Sequence, residues 1–232
     1  MRSHRVRSLC AVLVGAMLLG GVAHAQTSAE PSLFYAEAVA QSAFGNVTSQ
    51  SYGGEVGVRV WKTLQVFAEF GHVRDIGSDD FRASAQLVAG FLSQLPGVGG
   101  VTPSVKEPAT FGAVGVRYPI PVTFYRAEPY VLAGVGAAKV TKNVSFSASG
   151  KDLTSSLPNL SVILGSDLSG DFTKPMLVLG GGVVWPVWRS VIVDVQLRFN
   201  RIAAEGQDPL APEHLNKGTS FGRVGVGVGY RF

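Results

Sequence analysis

Cysteine is nearly missing from this sequence. One occurs among 232 residues, Cys10, and it lies in a stretch with the marks of a secretory leader. Arg2, Arg5 and Arg7 are followed by an apolar run from Leu9 to Gly21 and by Ala23-His24-Ala25, a small-residue cleavage site. Cys10 precedes most of that run, unlike a lipidation cysteine. The expected organisation is a signal peptide at 1–25 and one domain at 26–232. That domain holds no thiol, which excludes disulfides and thiolate chemistry from it. Histidine is scarce as well: only His72 and His214 remain after residue 25, with no metal-ligand spacing. No apolar run of 18 or more follows residue 25, so helical membrane spans are excluded. Charge of one sign is also lacking. The leader takes three of the 20 Lys+Arg and none of the 16 acidic residues, leaving 17 against 16, a net of +1. No basic field for nucleic acid remains.

What is present is glycine, 29 residues of it, and alternation. Between Ser220 and Phe232, Val224, Val226, Val228, Tyr230 and Phe232 share one parity, while Arg223, Gly225, Gly227, Gly229 and Arg231 share the other. Side chains alternate faces along a strand, so one face is apolar and the other is glycine and arginine. Taken alone, this stretch fits valines turned onto a protein core or valines turned to lipid. Gly225-Val-Gly-Val-Gly resembles a dinucleotide loop, but no helix follows it. Strand-like segments fall at about 33–44, 52–61, 64–74, 110–118, 129–141, 175–185, 190–201 and 220–232, each near the length that crosses a bilayer at a tilt. In 52–61, Val56, Val58 and Val60 alternate with Glu55, Gly57 and Arg59. In 190–201, Val191, Val193, Val195, Leu197 and Phe199 alternate with Ile192, Asp194, Gln196, Arg198 and Asn200.

The connections alternate in length. Lys62-Thr63 makes a two-residue turn, and proline-containing turns of moderate length are expected at Pro119 to Glu128 and Pro186 to Arg189. The other connections are longer, most of all 75–109 and 142–174. Short turns at one end and long loops at the other are the asymmetry of transmembrane barrels. Aromatic residues gather at segment ends, as interfacial girdles would: Phe34, Tyr35, Trp61, Tyr118, Tyr130, Trp185, Trp188, Tyr230 and Phe232 at the short-turn end, and Phe44, Tyr52, Phe70, Phe111 and Phe199 at the other. Ser78-Asp79-Asp80 is expected to cap a helix to about Leu95, stopped by Pro96, with Phe81, Ala85, Val88, Leu92 and Leu95 on one face packing on the rim or a neighbouring loop. The stretch Leu157 to Leu164 is apolar too and is read in the same way.

Together these features resemble the eight-stranded outer-membrane barrels of the OmpA transmembrane-domain and OmpX type. The resemblance implies an all-β fold: an eight-stranded antiparallel up-and-down transmembrane barrel in the outer membrane, with short periplasmic turns and long extracellular loops. It implies that Tyr230 and Phe232, an alternating aromatic end, form the C-terminal signal read by the barrel-assembly machinery. A barrel of this size is filled by its own side chains. The polar parity then places Glu55, Arg59, Glu69, Arg117, Asp194, Arg198, Arg223 and Arg231 in a lumenal charge network, where charges must be paired or hydrated. With Trp61 facing Gln65 across the first turn, Arg59 and Glu69 become diagonal neighbours within salt-bridge reach. Such a network fills and rigidifies the lumen; the resemblance also allows it to gate a narrow pore.

Barrel enzymes need a serine activated by an oriented histidine. His72 sits on an apolar parity at a rim, His214 lies in a polar loop, and Phe199-Asn200-Arg201-Ile202 is not the deacylase signature. No enzyme activity, catalytic residue, metal or cofactor is expected. The expected role is structural and interactive, with outer-membrane lipids as surroundings and a surface ligand at the outer loops as partner. A narrow passive pore is the first alternative, and a soluble lipocalin-like binder the second.

Overall fold

The alternating segments pair into one continuous antiparallel ladder. The structure, a computed structural model, describes residues 33–95, 98–122, 125–160, 168–203 and 218–232, so the leader and its cleavage site lie outside it. In chain order come β1 (Phe34–Phe44), β2 (Ser49–Trp61), β3 (Leu64–Val73), helix α1 (Asp79–Leu92), β4 (Val101–Lys106), β5 (Ala109–Pro119), β6 (Glu128–Ala148), β7 (Lys151–Asp152), a 3-10 turn (Thr154–Leu160), β8 (Gly170–Trp188), β9 (Val191–Ile202) and β10 (Thr219–Arg231). Each of β1, β2, β3, β5, β6, β8, β9 and β10 pairs with two neighbours in the ring, and β1 pairs with β10, closing a circle of eight. Closure leaves no strand edge, the condition for a sheet to exist in hydrocarbon.

Burial is inverted relative to a water-soluble sheet. Val56, Val114, Val135, Leu197 and Val228 are all more than half exposed, while Glu55 and Arg223 are 1% exposed and Arg198 is 0%. Val195 and Val226 point outward, and Asp194 lies inside. A belt of valine and leucine around the whole circumference has no stable home in water. Surrounded by lipid it costs nothing, and the polar parity is driven inward. This arrangement contradicts the soluble lipocalin-like alternative, in which the parities would be exchanged.

Several boundaries depart from expectation for identifiable reasons. β6 and β8 run 21 and 19 residues, about twice the length needed to cross a bilayer. The extension of β6 carries β4 and β7, so part of the segments 75–109 and 142–174 is sheet rather than loop. β8 also continues through Pro186 to Trp188, and the ladder shifts register at Pro186, where the missing N–H is tolerated. The turn after it is therefore Arg189-Ser190, shorter than expected. Another register shift between Arg59 and Trp61 places Gln65 opposite Arg59 and Glu69 opposite Glu55. The expected Arg59–Glu69 neighbourhood does not form.

Above the long-loop end, α1 packs its Phe81, Ala85, Ala89 and Leu92 face against Phe146, Leu157 and Leu168, with Val88 beside them. Ser78 is the N-cap residue but makes no side-chain cap bond. Its N–H donates instead to the Glu107 carboxylate, while Asp75 Oδ1 accepts from the N–H groups of Gly77 and Glu107. Burial pushes the Glu107 carboxyl above its usual range, opposed by the Ser78 hydrogen bond. The helix ends at Leu92, one turn before Pro96, because Ser93 Oγ returns to Ala89 O and accepts from Val101 N–H.

The outward face is testable at one position. Replacing Val226, mid-strand and facing out, by arginine is expected to lower the folding free energy into phospholipid vesicles by about 2–4 kcal/mol, read from urea titration of tryptophan fluorescence.

Candidate functional site: the lumenal charge network

The inward parity brings charged and amide side chains from six strands into a lumen too narrow to leave them separate. At its inner level Glu55 takes two guanidinium groups: Arg117 Nη1 lies 3.0 Å from Oε1 and Arg198 Nη2 lies 3.0 Å from Oε2. Arg117 Nη2 also lies 3.6 Å from Asp194 Oδ2. Two tyrosines complete this level. Tyr35 donates its hydroxyl to Glu55 Oε1 at 2.6 Å, and Tyr130 donates to Asp194 Oδ2 at 2.6 Å. The Tyr130 hydroxyl accepts from Arg198 at 3.2 Å. The Arg117 guanidinium lies 3.5 Å from the Tyr130 ring centre and 4.8 Å from that of Tyr35, so its flat faces are covered as well as its edge.

A second level lies toward the long-loop end. Arg223 Nη1 is 2.7 Å from Glu69 Oε1 and donates to Gln41 Oε1 at 3.1 Å, while Nη2 donates to Asn200 Oδ1 at 3.0 Å. The guanidinium sits 4.3 Å over the Phe111 ring. From the outer level amides lead inward: Gln41 donates to Gln196 at 3.3 Å, and Gln196 donates to Glu37 at 3.4 Å, which stands opposite Glu55 across β1 and β2. Glu55 and Glu69 face each other across β2 and β3, and each is held by arginines that reach across the lumen.

Room for these side chains comes from glycine on the same face. A Cβ at Gly57 would stand 2.1 Å from the Tyr35 ring, and one at Gly225 would stand 2.6 Å from Gln41 Cγ. The bare backbone of β10 lets the long residues of β1 lean across it.

Beyond Arg223 the lumen changes character. Ala43, Val73, Phe111, Val140, Met176 and Phe221 are buried there in one apolar cluster. An apolar plug of side chains thus occupies the long-loop end of the lumen, its Phe111 ring against the Arg223 guanidinium.

Of the residues read from the sequence, Glu55, Glu69, Arg117, Asp194, Arg198 and Arg223 meet inside the barrel. Arg231 lies at the short-turn rim and pairs with Glu128, Nη1 to Oε1 at 3.0 Å. Arg59 makes no ion pair among the described residues, and its Nε is buried without a partner. Tyr35, Tyr130 and Phe111, assigned to the girdles, are lumenal instead; a ring at a strand end can take either parity. Phe34, Trp61, Tyr118, Trp188, Tyr230 and Phe232 do lie exposed at the short-turn end. Glu37, Gln41, Gln196 and Asn200 are additions to the expected network. Their strict parity with Tyr35, Asp194 and Arg198 is the signal that finds them.

His72 faces outward, with Nδ1 2.9 Å from Thr110 Oγ1 and its ring 5.5 Å from that of Tyr52. Asp75 is engaged with Gly77 and Glu107, so it does not orient this imidazole. His214 lies outside the described residues. Among the described residues no three His, Cys, Asp or Glu side chains gather as a metal site.

No protein-family model matches the chain, and no curated protein does. Solved structures do. A major outer membrane protein of Thermus thermophilus shares 14% identity over 88% of this chain and 100% of its own, with a TM-score of 0.52. Neisserial surface protein A gives 16% identity, 89% and 100% coverage and a TM-score of 0.47. The N-terminal β-barrel domain of Pseudomonas aeruginosa OprF gives 15%, 84%, 97% and 0.42. The likeness to the Thermus protein shows a shared fold, and with the ring of eight strands it is that of an outer-membrane β-barrel.

Removing Glu55 strands two buried guanidinium groups. Glu55→Ala is expected to lower unfolding free energy by about 3–5 kcal/mol, whereas Arg231→Ala, at the half-open rim, is expected to cost about 0–1 kcal/mol. Urea titration in vesicles measures both.

Proposed function

We propose that this chain is an integral outer-membrane barrel whose role is structural and interactive. Its lumen serves as a solid core, and its extracellular platform of α1, β4, β7 and the β6–β8 extension serves as the contact surface. The observation that carries this reading is the stacking inside the cylinder. An ion-pair layer and an apolar plug lie in series, so exchanging salt-bridge partners around Glu55 leaves Phe111, Val140, Met176 and Phe221 across the path. A conduit would need both layers to move. A scaffold needs neither to.

The platform supports the interactive half of the proposal. It is built on two strands continuous with the barrel and carries a helix with its own apolar packing, more structure than a turn requires. Tyr230 and Phe232 are proposed as the assembly signal. Both rings face outward at the closing strand, 5.0 Å apart, where a partner reading the unclosed edge would meet them.

Two measurements test the proposal. Purified refolded barrel in planar bilayers is expected to show no channel events; discrete conductance steps would favour the pore. Deleting Phe232 is expected to reduce the membrane level of folded barrel severalfold, read by the heat-modifiable gel shift, and an unchanged level would remove the assembly role.

A further inference from the structure

The short-turn end carries a repeated device that neither fold nor lumen requires. The β2–β3 turn reads Trp61-Lys62-Thr63-Leu64 and the β8–β9 turn reads Trp188-Arg189-Ser190-Val191: aromatic, basic, hydroxyl, aliphatic. Between β5 and β6 the chain offers Tyr125-Arg126, again an aromatic followed by a base. In all three the basic residue has a left-handed backbone, with φ of 41° at Lys62, 68° at Arg126 and 42° at Arg189. Glycine or asparagine would take that conformation with less strain. Three bases at three such positions point to a use for the charge.

The charge is also one-sided. Arg59, Lys62, Arg126, Arg189 and Arg231 lie at this end, and among the described residues Glu128 is its single acidic side chain, already paired with Arg231. The opposite end mixes both signs. Lys62, Arg126 and Arg189 are exposed. Lys62 Nζ lies 5.8 Å from the Trp61 ring centre and Arg189 Cζ lies 5.9 Å from that of Trp188. Both rings are about two-thirds exposed, at 70% and 69%, at strand ends where aromatic side chains anchor a barrel in the interface. Two of the three cations thus stand beside exposed tryptophan rings at the strand ends.

We infer that the three inner turns form an anion-binding collar for the phosphates of acidic phospholipids in the periplasmic leaflet. Each aromatic ring seats at the carbonyl level and its neighbouring base reaches the phosphate. The inference rests on the outer-membrane reading above, and it names the lipid class that the inner rim prefers.

The three tryptophans, Trp61, Trp185 and Trp188, all lie at this end, so intrinsic fluorescence reports on it alone. Full-length mature barrel is refolded into phosphatidylcholine nanodiscs, with and without phosphatidylglycerol. Quenching by headgroup-proximal brominated phosphatidylglycerol is compared with quenching by brominated phosphatidylcholine. A cation at an anionic surface contributes about fivefold in association, so the wild type is expected to prefer phosphatidylglycerol about fivefold or more. That preference is expected to fade at high salt. The triple variant Lys62→Gln/Arg126→Gln/Arg189→Gln is expected to bring the ratio to parity with the gel shift of a folded barrel intact, while Arg201→Gln at the other end leaves it unchanged. Lys62→Asn/Arg189→Asn is expected to raise the urea midpoint while lowering the preference, since it relieves the backbone and removes the charge. A folded wild type with no preference, a preference surviving the triple variant, or an equal loss in Arg201→Gln would each overturn the collar and leave the barrel reading standing. Binding to purified peptidoglycan sacculi without lipid preference would overturn it in favour of a cell-wall polymer. Failure of the wild type to enter nanodiscs at all would overturn the membrane reading itself.

Discussion

Every strand of the ring needs a partner on both sides, because hydrocarbon offers its N–H and C=O groups nothing else. The decisive pairing is β1 with β10, from Tyr35↔Arg231 to Phe44↔Gly222, which turns an open sheet into a ring. Once the ring closes, the parity of each residue decides whether it meets lipid or lumen. The number of strands fixes the lumen's width. Eight strands leave room for side chains but not for bulk water, so charges placed inside must neutralise one another at contact distance.

The interior satisfies this constraint by dividing labour along its length. The inner level balances Glu55 and Asp194 against Arg117 and Arg198, with two tyrosine hydroxyls donating to the same two carboxylates. The outer level holds one arginine against one carboxylate and two amides. Above them the polar parity gives way to alanine, valine and phenylalanine, where ordinary packing suffices. Arg117, Arg198 and Arg223 each have more than one polar partner, yet among the described residues Glu55 is the one carboxylate that Arg198 reaches.

How much of this is legible in the sequence depends on contrast between the two faces. In β9 and β10, valine against arginine, aspartate and glycine makes the parity plain. In β1 the outward residues are Ala36, Ala38, Ala40 and Ser42. So little apolar bulk hides the alternation, and with it Glu37 and Gln41. Register is less legible still, because one extra residue between Arg59 and Trp61 is a backbone event with no side-chain signature. Pro186 has the look of a breaker, yet at the end of a strand it only shifts the ladder. Ser78 has the look of a cap, but its hydroxyl makes no cap bond, and its own N–H is held by Glu107, nearly thirty residues later.

The long ladder between β6 and β8 runs unbroken from Glu128↔Val184 to Lys142↔Gly170, from one rim to well past the other. Anything grasping the platform therefore pulls along the strands. Tension in that direction loads the whole row of hydrogen bonds in parallel, as shear, instead of peeling them one at a time. The β6–β8 extension is accordingly held to the barrel by that whole row at once.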